Sequence, residues 1–269
     1  MAKDHSGKIA FVSGSGRGLG NVMARKLAAK GADIVVHDLS WDSTSQYGEA
    51  SNLGDVIKQI EALGVRCMGV TGNIGDRDAV ANMRNEIESK FGPVEILVNC
   101  AGGDIGAAGG KPVPNNILGI TYEDLMTLTN NNLIGTMLMN QAFVPQMVER
   151  QHGIVVNIAS VAAHIGVSHG GIYATLKAAV THYTRCLADE VRKDGVRVNV
   201  LSPGPAKTAR FQQTRTVDPE KMNSNKASFD RYAEPEEIAD GVVFLCSPEA
   251  RFIHGQLLRV DGGLQLYAG

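Results

Sequence analysis

The sequence of 269 residues lacks several features that would place it in a specialised class of protein. Its four cysteines are scattered, without a Cys-x-x-Cys pair, so neither a disulfide framework nor a zinc site is expected. Charges nearly balance at −2, and there is no dense Lys/Arg run, which argues against a nucleic-acid partner. No apolar run approaches the roughly 18 residues of a membrane span, and the first residues show no secretion signal. We therefore expect a cytoplasmic protein with no metal, nucleic acid or membrane as partner.

Short β-branched runs alternate with longer amphipathic stretches along the chain. The runs predict strands at residues 8–14, 32–38, 65–73, 94–102, 153–160, 196–204 and 256–260. The stretches between them predict helices at 19–30, 53–63, 76–91, 121–151, 172–193 and 236–247. Repeated strand–helix–strand units imply right-handed crossovers and a parallel sheet with helices on both faces. We therefore expect a single α/β domain over residues 1–269, a doubly wound parallel sheet of the Rossmann type.

Two stretches interrupt this alternation. Residues 102–116 are rich in glycine and proline, and residues 205–235 are long and polar. Long irregular segments in compact domains are often lids or binding loops, although many are only surface excursions. We expect residues 205–235 to form the substrate loop.

Glycine is plentiful, at 31 residues, and one glycine-rich turn directly follows the first predicted strand. Gly14, Gly18 and Gly20 stand there in G-x-x-x-G-x-G spacing, with Arg17 and Leu19 between them. Glycines let the backbone approach a pyrophosphate, while the helix N-terminus offers free N–H groups and the positive end of its dipole. The position between a strand and a helix therefore predicts a dinucleotide-binding turn.

The second predicted strand ends at Asp38, followed by Leu39. A carboxylate at this place can accept hydrogen bonds from both ribose hydroxyls of an adenosine. Arg17 could instead meet a 2′-phosphate, but a like-charge pair about 4 Å apart costs roughly 4 kcal/mol at an effective dielectric of about 20. Asp38 would oppose such a phosphate, so we predict NAD in preference to NADP.

The motifs, taken in order, resemble those of the short-chain dehydrogenase/reductase family from about residue 7 to 263. "NCAG" at 99–102 is similar to the family's NNAG, with Cys100 replacing the second Asn, and Asn73-Ile74 replaces a common Asp-Val. "SPGPAKT" resembles the segment that covers the nicotinamide, and "VDGG" resembles the ending of the last strand. The further cofactor contacts that the resemblance implies are Asn73, Ile74, Asn99, Ala101, Gly102, Tyr173, Lys177, Pro203, Gly204, Ala206 and Thr208.

The resemblance also implies a catalytic set of Asn132, Ser160, Tyr173 and Lys177. Tyrosine has a pKa near 10 and is a poor base at neutral pH. In the family's pattern Lys177 binds the nicotinamide ribose, and with the oxidised ring it lowers the pKa of Tyr173. Ser160 holds the substrate oxygen, and Asn132 anchors a water in a proton relay. The Tyr-x-x-x-Lys spacing alone is not diagnostic, because residues four apart share a helix face.

Two further expectations concern helix packing. The family usually has a small residue where Leu176 stands, and we expect Thr175 and Leu176 to face the packing side of their helix. Family members commonly form tetramers through two long helices, here 121–151 and 172–193. A homo-oligomer, either a tetramer or a dimer, is therefore expected.

These observations predict an NAD-dependent oxidoreductase that interconverts a secondary alcohol and a ketone or lactone. The polar segments 102–116 and 205–235 favour a sugar, polyol or hydroxy acid as the small-molecule substrate. A 3-oxoacyl thioester reductase and a non-catalytic NAD-binding regulatory or scaffold protein stay open. Lys207 and Arg210 could meet an anionic substrate or be solvated loop charges, and His164 and His169 are interpreted as loop or pocket-wall residues.

Overall fold

Residues 4–224 and 228–266 are described by a computed structural model, and seven parallel strands form one sheet within them. The strands are β1 (Ile9–Ser13), β2 (Asp33–Asp38), β3 (Cys67–Thr71), β4 (Ile96–Asn99), β5 (Gly153–Ile158), β6 (Val196–Pro203) and β7 (Leu257–Val260). Their order across the sheet is β3-β2-β1-β4-β5-β6-β7. All six adjacent pairs are parallel, as in Val12 opposite Val36 and Val98. The predicted doubly wound parallel sheet is confirmed.

Helices cover both faces of the sheet. They are α1 (Gly18–Ala29), α2 (Leu53–Glu61), α3 (Arg77–Lys90), α4 (Tyr122–Thr129), α5 (Gly135–Glu149), α6 (Gly171–Glu190), α7 (Ala209–Thr214) and α8 (Pro235–Cys246). Helices α1, α2 and α8 share one buried cluster with Ala10 and Val12, and α3, α5 and α6 share another with Ile9 and Phe11. Successive side chains of a strand point to opposite faces, so β1 supplies both cores.

The helix predicted at 121–151 is divided into three parts. Between α4 and α5, residues Asn130–Ile134 form a π-helical turn. The Asn132 side chain donates to the Leu128 carbonyl oxygen at 2.9 Å and also bonds Gly103, outside the helix. Such side-chain competition for backbone groups accompanies a widened turn. The hydrophobic periodicity of the sequence does not predict this interruption, because the interruption depends on a contact with Gly103 in a distant loop.

The segment 205–235 is less irregular than expected. It contains α7 and a 3₁₀ turn at Pro219–Met222, and Ala206 pairs with Ala233 in an isolated parallel bridge. The segment therefore leaves the end of β6 and returns beside its own start. In the part of the chain that the structure describes, no helix is both long and apolar enough to cross a membrane.

Parallel strands place all their carboxyl ends at one edge of the sheet. From β1 the strands β2 and β3 are added toward one edge of the sheet, whereas β4 to β7 are added toward the other edge. The strand order therefore reverses between β1 and β4. In open sheets of this kind the ligand crevice forms at the carboxyl ends beside such a reversal. The glycine-rich turn, Asp38 and Asn99 all follow or end strands at this edge.

Candidate active site

The glycine-rich turn between β1 and α1 is packed too closely for side chains. Gly14 and Gly18 have φ values of +67° and +58°, in the left-handed region that favours glycine. A Cβ added to Gly14 would lie 2.8 Å from the Ala101 Cα atom, and one added to Gly16 would lie 2.5 Å from Asp38 Oδ2. The turn can therefore present backbone to a ligand beside Asp38.

His37, which no motif of the sequence singles out, holds this turn in place. The Gly14 N–H donates to His37 Nδ1 at 3.1 Å, and His37 Nε2 lies 2.9 Å from the Gly72 carbonyl oxygen. The His37 backbone N–H also donates to Ser15 Oγ at 3.0 Å. Burial lowers the pKa of His37, so the neutral ring accepts at Nδ1 and donates at Nε2.

Asp38 is buried, and only one of its oxygens is hydrogen-bonded. Oδ1 accepts from the Leu39 N–H at 2.8 Å, while buried Oδ2 has no hydrogen-bond partner among the described residues. Arg17 Nε lies 3.7 Å from Oδ2, but the guanidinium donates to Gln46 at 2.7 Å and stacks 5.0 Å from the Tyr47 ring. An unpartnered carboxylate oxygen beside a glycine turn fits the ribose hydroxyls of an adenosine cofactor.

A carboxylate from outside the glycine-rich turn accepts a hydrogen bond at the N-terminus of α1. The Gly18 N–H donates to Glu49 Oε2 at 2.5 Å. Leu19 is half-buried against the core. Gly20 is buried, and a Cβ added to it would overlap the carbonyl oxygen of Gly14. Free N–H groups and the helix dipole attract anions, so this position suits a pyrophosphate as well as Glu49.

Tyr173 and Lys177 lie one turn apart on α6, as their spacing predicts. The Lys177 side chain is buried, donates to the Ile158 carbonyl oxygen at 2.9 Å, and places Nζ 5.8 Å from the centre of the Tyr173 ring. Ser160 follows β5 and accepts from the Ala162 N–H at 3.3 Å. The structure therefore brings Ser160, Tyr173 and Lys177 together at the carboxyl edge of the sheet.

Burial dominates the acid–base properties of this centre. It raises the pKa of Tyr173, and the Ser160 hydroxyl, Arg210 and Arg215 oppose that rise. Burial lowers the pKa of Lys177 to about 8. In the protein without a cofactor, burial thus outweighs the neighbouring cations, and the lowered tyrosine pKa that the sequence predicts for the complex with the oxidised ring stays a prediction.

Asn132 is fully buried in the π-helical turn and clamps the chain that follows β4. Its Oδ1 accepts from the Gly103 N–H at 2.9 Å, and its Nδ2 donates to the Gly103 carbonyl oxygen at 3.0 Å. A Cβ on Gly102, where φ is +126°, would lie 2.7 Å from Asn132 Oδ1. The Asn132 carbonyl oxygen accepts from Thr136 Oγ1 at 2.9 Å. Asn132 thus positions residues 102–103.

The side chain of Asn99 faces the protein interior. Its Nδ2 donates to Asn157 Oδ1 at 2.8 Å and to Asn140 Oδ1 at 3.2 Å, and Asn157 donates to Thr184 at 3.0 Å. This buried network joins β4 and β5 to α5 and α6. A cofactor contact at Asn99, which stays a prediction, would therefore use its backbone.

Two residues predicted to lie near the adenine follow β3. Asn73 is exposed, and its Oδ1 accepts from the Gly75 N–H at 2.9 Å. Ile74 is buried against Gly135, where a Cβ would lie 2.6 Å from the isoleucine side chain. Asn73 therefore keeps its amide N–H groups available, while Ile74 serves packing.

The segment after β6 faces the glycine-rich turn. Pro203 ends β6, the Gly204 N–H donates to β7, and Ala206 is buried. Thr208 caps α7 through its hydroxyl, and its methyl carbon would lie 4.0 Å from a Cβ added to Gly18. The structure thus brings Thr208 close to Gly18 of the glycine-rich turn.

Of the two residues expected on the packing side of α6, Leu176 is buried, whereas Thr175 is exposed in the single chain and donates to the Gly171 carbonyl oxygen at 2.9 Å. Packing of Thr175 against a partner subunit stays a prediction. Cys100, the departure in "NCAG", has a pKa raised to about 11 by burial and stays a thiol.

The charged residues singled out in the sequence have different surroundings. Lys207 pairs with Glu234 at 2.6 Å and is buried, so it anchors the loop. Arg210 instead donates to the Gly102 carbonyl oxygen at 3.2 Å, beside the catalytic candidates. His164 is half-buried against a serine of β6, and His169 is exposed.

A cavity of about 850 Å³ opens at the opposite edge of the sheet. Lys8, Arg192 and Phe252 are among its lining residues, and none of the catalytic candidates lines it. The chemistry of Ser160, Tyr173 and Lys177 is therefore separate from this cavity.

Comparisons with known proteins identify the family of the chain. Residues 14–265 match the family model described as Enoyl-(Acyl carrier protein) reductase. The chain is 32% identical to the (2S)-[(R)-hydroxy(phenyl)methyl]succinyl-CoA dehydrogenase subunit BbsD of Thauera aromatica, over 97% of this chain and 98% of that protein. It is 31% identical to the 2-dehydro-3-deoxy-D-gluconate 5-dehydrogenase of Formosa agariphila, over 97% and 94%.

Solved structures share the whole fold. A 7α-hydroxysteroid dehydrogenase complexed with NADH and 7-oxo glycochenodeoxycholic acid has a TM-score of 0.82 and 29% identity, over 97% of this chain and 95% of that one. L-sorbose reductase from Gluconobacter frateurii, complexed with NADPH and L-sorbose, has a TM-score of 0.84 and 27% identity, with full coverage of both chains at 100%. The chain belongs to the short-chain dehydrogenase/reductase family. It is an oxidoreductase that acts on CH–OH groups.

Proposed function

We propose that the protein is an NAD-dependent dehydrogenase that interconverts a secondary alcohol of a sugar, polyol or hydroxy acid with the ketone or lactone. The observation that carries the proposal is the grouping of Ser160, Tyr173 and buried Lys177 at the sheet edge that also holds the glycine-rich turn. The relatives named above include enzymes of a sugar acid and of a sugar, which supports this substrate range.

The side chains divide the work at the substrate oxygen. When bound, the nicotinamide cofactor takes up or supplies the hydride. Ser160 holds the substrate oxygen by a hydrogen bond, and the Tyr173 hydroxyl exchanges the proton at that oxygen. Lys177 has one N–H directed at the Ile158 carbonyl oxygen, which leaves two to bind the ribose and stabilise the phenolate. Asn132 holds residues 102–103 and, as the resemblance implies, anchors the relay water.

The cofactor preference rests on the charges around Asp38. Its Oδ2 lies 3.7 Å from Arg17 Nε but has no hydrogen bond among the described residues, so it suits ribose hydroxyls, and Glu49 adds a second carboxylate near the same turn. Arg17, the cation available for a 2′-phosphate, is turned toward Gln46 and Tyr47. Two carboxylates would repel a 2′-phosphate, so we assign NAD rather than NADP.

The thioester reductase is kept as a second candidate, because 3-oxoacyl-[acyl-carrier-protein] reductases are also relatives, at 29% identity in Thermotoga maritima. A cofactor-binding scaffold would not require a buried lysine beside Tyr173. A single domain over residues 1–269, a homo-oligomer and a cytoplasmic location stay predictions.

The test is NADH absorbance in the presence of NAD and a panel of sugars, polyols and hydroxy acids. Substrate-dependent NADH formation is the expected result. Oxidation of NADPH by a 3-oxoacyl thioester, without NADH formation from any alcohol, would favour the second candidate. Cofactor binding without turnover of either kind would favour the scaffold.

A further inference from the structure

Three cations on the segments that follow β4 and β6 define a cationic cluster: Lys111, Arg210 and Arg215. Arg210 is its fixed member, because Nη1 donates to the Gly102 carbonyl oxygen at 3.2 Å and would lie 2.7 Å from a Cβ on Gly103. Arg215 stacks 5.3 Å from the Phe211 ring. Since Asn132 clamps Gly103, Arg210 keeps a set position relative to the catalytic centre.

Two members of the cluster act on Tyr173, because Arg210 and Arg215 both oppose the rise in its pKa. The pKa of Lys111 is lowered by burial and by the charge of Arg215, and Asp104 opposes this shift. Cations that act on one another in this way favour an anion between them.

Other cations of the segment 205–235 are neutralised by ion pairs with carboxylates. Lys207 pairs with Glu234, Lys221 with Asp230 at 2.8 Å, and Arg231 with Glu237 at 2.7 Å. Within residues 4–224 and 228–266, no member of the cationic cluster has a carboxylate oxygen within 4.0 Å. Its charge is therefore available to a ligand.

Hydrogen-bond acceptors lie beside the cluster. Asn115 donates to Asp104 Oδ2 at 2.9 Å, and the Gly170 N–H donates to the Asn115 carbonyl oxygen at 2.8 Å, next to α6. The other oxygens of the pair, Asp104 Oδ1 and Asn115 Oδ1, are buried without a hydrogen-bond partner among the described residues. Asp104 also acts on the pKa of Tyr173 and raises it, so the pair lies within electrostatic range of that residue. Buried acceptors of this kind require donors, which substrate hydroxyls supply.

We propose that the substrate is a polyhydroxy carboxylate. Its carboxylate binds Arg210 with Arg215 and Lys111, its hydroxyls donate to Asp104 and Asn115, and its reacting CH–OH lies at Tyr173. This inference rests on the proposed function. In the oxidation, the carbinol carbon loses a hydride to NAD⁺ and the hydroxyl loses its proton to the enzyme. The products are the keto acid, NADH and one proton, and the carboxylate is unchanged.

The experiment compares matched substrates. Threonate, xylonate and gluconate are assayed against the corresponding alditols, in which a hydroxymethyl group replaces the carboxylate. A 3-hydroxyacyl-CoA serves as an anion of another shape. With the wild type, kcat/KM for at least one aldonate should exceed that for its alditol by about tenfold or more. In R210Q the KM for that aldonate should rise about tenfold more than the KM for its alditol.

Further variants distinguish the effect of a charge in the cationic cluster from the effect of removing any positive charge. R215Q and K111Q should act in the same direction as R210Q, and D104N should weaken both aldonates and alditols. The control K221Q removes a paired cation of the same segment and should leave every KM unchanged.

The outcomes distinguish the two proposals. Equal use of aldonates and alditols, or an equal loss for both in R210Q, overturns the carboxylate assignment and leaves the dehydrogenase intact. A preference for the CoA thioester that is lost in R210Q also overturns it. If no alcohol yields NADH with the wild type while NADH still binds, the proposed function itself fails.

Discussion

The Gly18 N–H donates to Glu49 Oε2 at 2.5 Å, so a carboxylate of the chain lies where a dinucleotide phosphate would bind α1. The same segment contacts the guanidinium of Arg17 through Gln46 and Tyr47. Gln213, on α7, donates to the Tyr47 carbonyl oxygen at 3.2 Å. The cofactor turn is thereby linked to the segment that carries the cationic cluster.

Glu49→Gln should tighten NADH binding about twofold to fivefold. The substitution removes an exposed negative charge from a helix N-terminus that must accept a pyrophosphate, and such charges contribute about 0.3–1 kcal/mol. Titration of NADH fluorescence gives the Kd. Glu61→Gln, an exposed position at the end of α2, is the control. An unchanged or weaker affinity in Glu49→Gln would mean that Glu49 does not compete with the cofactor.

Asp38→Ala should relax the preference for NAD. Removing the carboxylate lowers the repulsion of a 2′-phosphate and deletes an acceptor for ribose hydroxyls, so the ratio of kcat/KM for NADP to that for NAD should rise about a hundredfold. Steady-state rates with both cofactors measure the ratio. Equal use of NADP and NAD by the unmutated protein would refute the assignment.

Tyr173→Phe should abolish turnover and leave NADH binding nearly intact. The substitution removes only the hydroxyl that exchanges the substrate proton, and loss of a positioned acid–base group costs roughly 10²–10⁴ in rate. Rates and NADH titrations should be run on the same preparation. Near-normal activity in this variant would contradict proton exchange by the Tyr173 hydroxyl.

Lys177→Met should raise stability at pH 7 while abolishing activity. Lys177 has a pKa lowered to about 8 against an ordinary value of 10.5, so the unfolded chain binds more protons between these pH values. Its buried ammonium therefore destabilises the fold below pH 8, and this cost disappears as pH rises toward 10.5. Methionine, which loses the bond to the Ile158 carbonyl oxygen, should still gain about 2 kcal/mol.

Urea unfolding at pH 7 and at higher pH measures this difference, with the exposed Lys193→Met as control. The advantage of Lys177→Met over the wild type should shrink as pH rises above 8. A Lys177→Met protein that is less stable than the wild type at pH 7 would contradict the explanation.

His37 should contribute to acid instability. Its pKa is lowered in the folded state, so the unfolded chain binds the proton first, and stability falls as pH drops below about 6.5 toward the lowered value. Protonated Nδ1 could no longer accept from the Gly14 N–H. His37→Gln should unfold more easily at pH 7.5 but lose less stability between pH 7.5 and 5. Parallel losses in both proteins, by thermal unfolding, would exclude His37 as a contributor.

The sequence predicted those parts of the fold and site that are encoded locally. Strand and helix positions follow from hydrophobic periodicity, and Tyr173 and Lys177 follow from spacing on one helix. Glu49 was missed because it meets Gly18 from 31 residues away. The pairing of Asp104 with Asn115 depends on how one loop folds back on itself.

The orientation of charged side chains could not be predicted either. Lys207 and Arg210 lie three residues apart and look equivalent in the sequence. One is neutralised by Glu234, and the other lies against Gly102. Only the three-dimensional path of the segment decides which cation is available to a ligand.

The residues proposed for proton transfer and the residues proposed to bind the rest of the substrate lie on different parts of the chain. Lys177 is buried on a long helix, whereas Asp104, Lys111 and Arg215 belong to stretches between regular elements. Substitutions in these stretches can alter which molecule is accepted without opening a cavity in either core. The enzyme can therefore acquire new specificities by mutation while it keeps its chemistry, and the same separation offers a practical route to redesign.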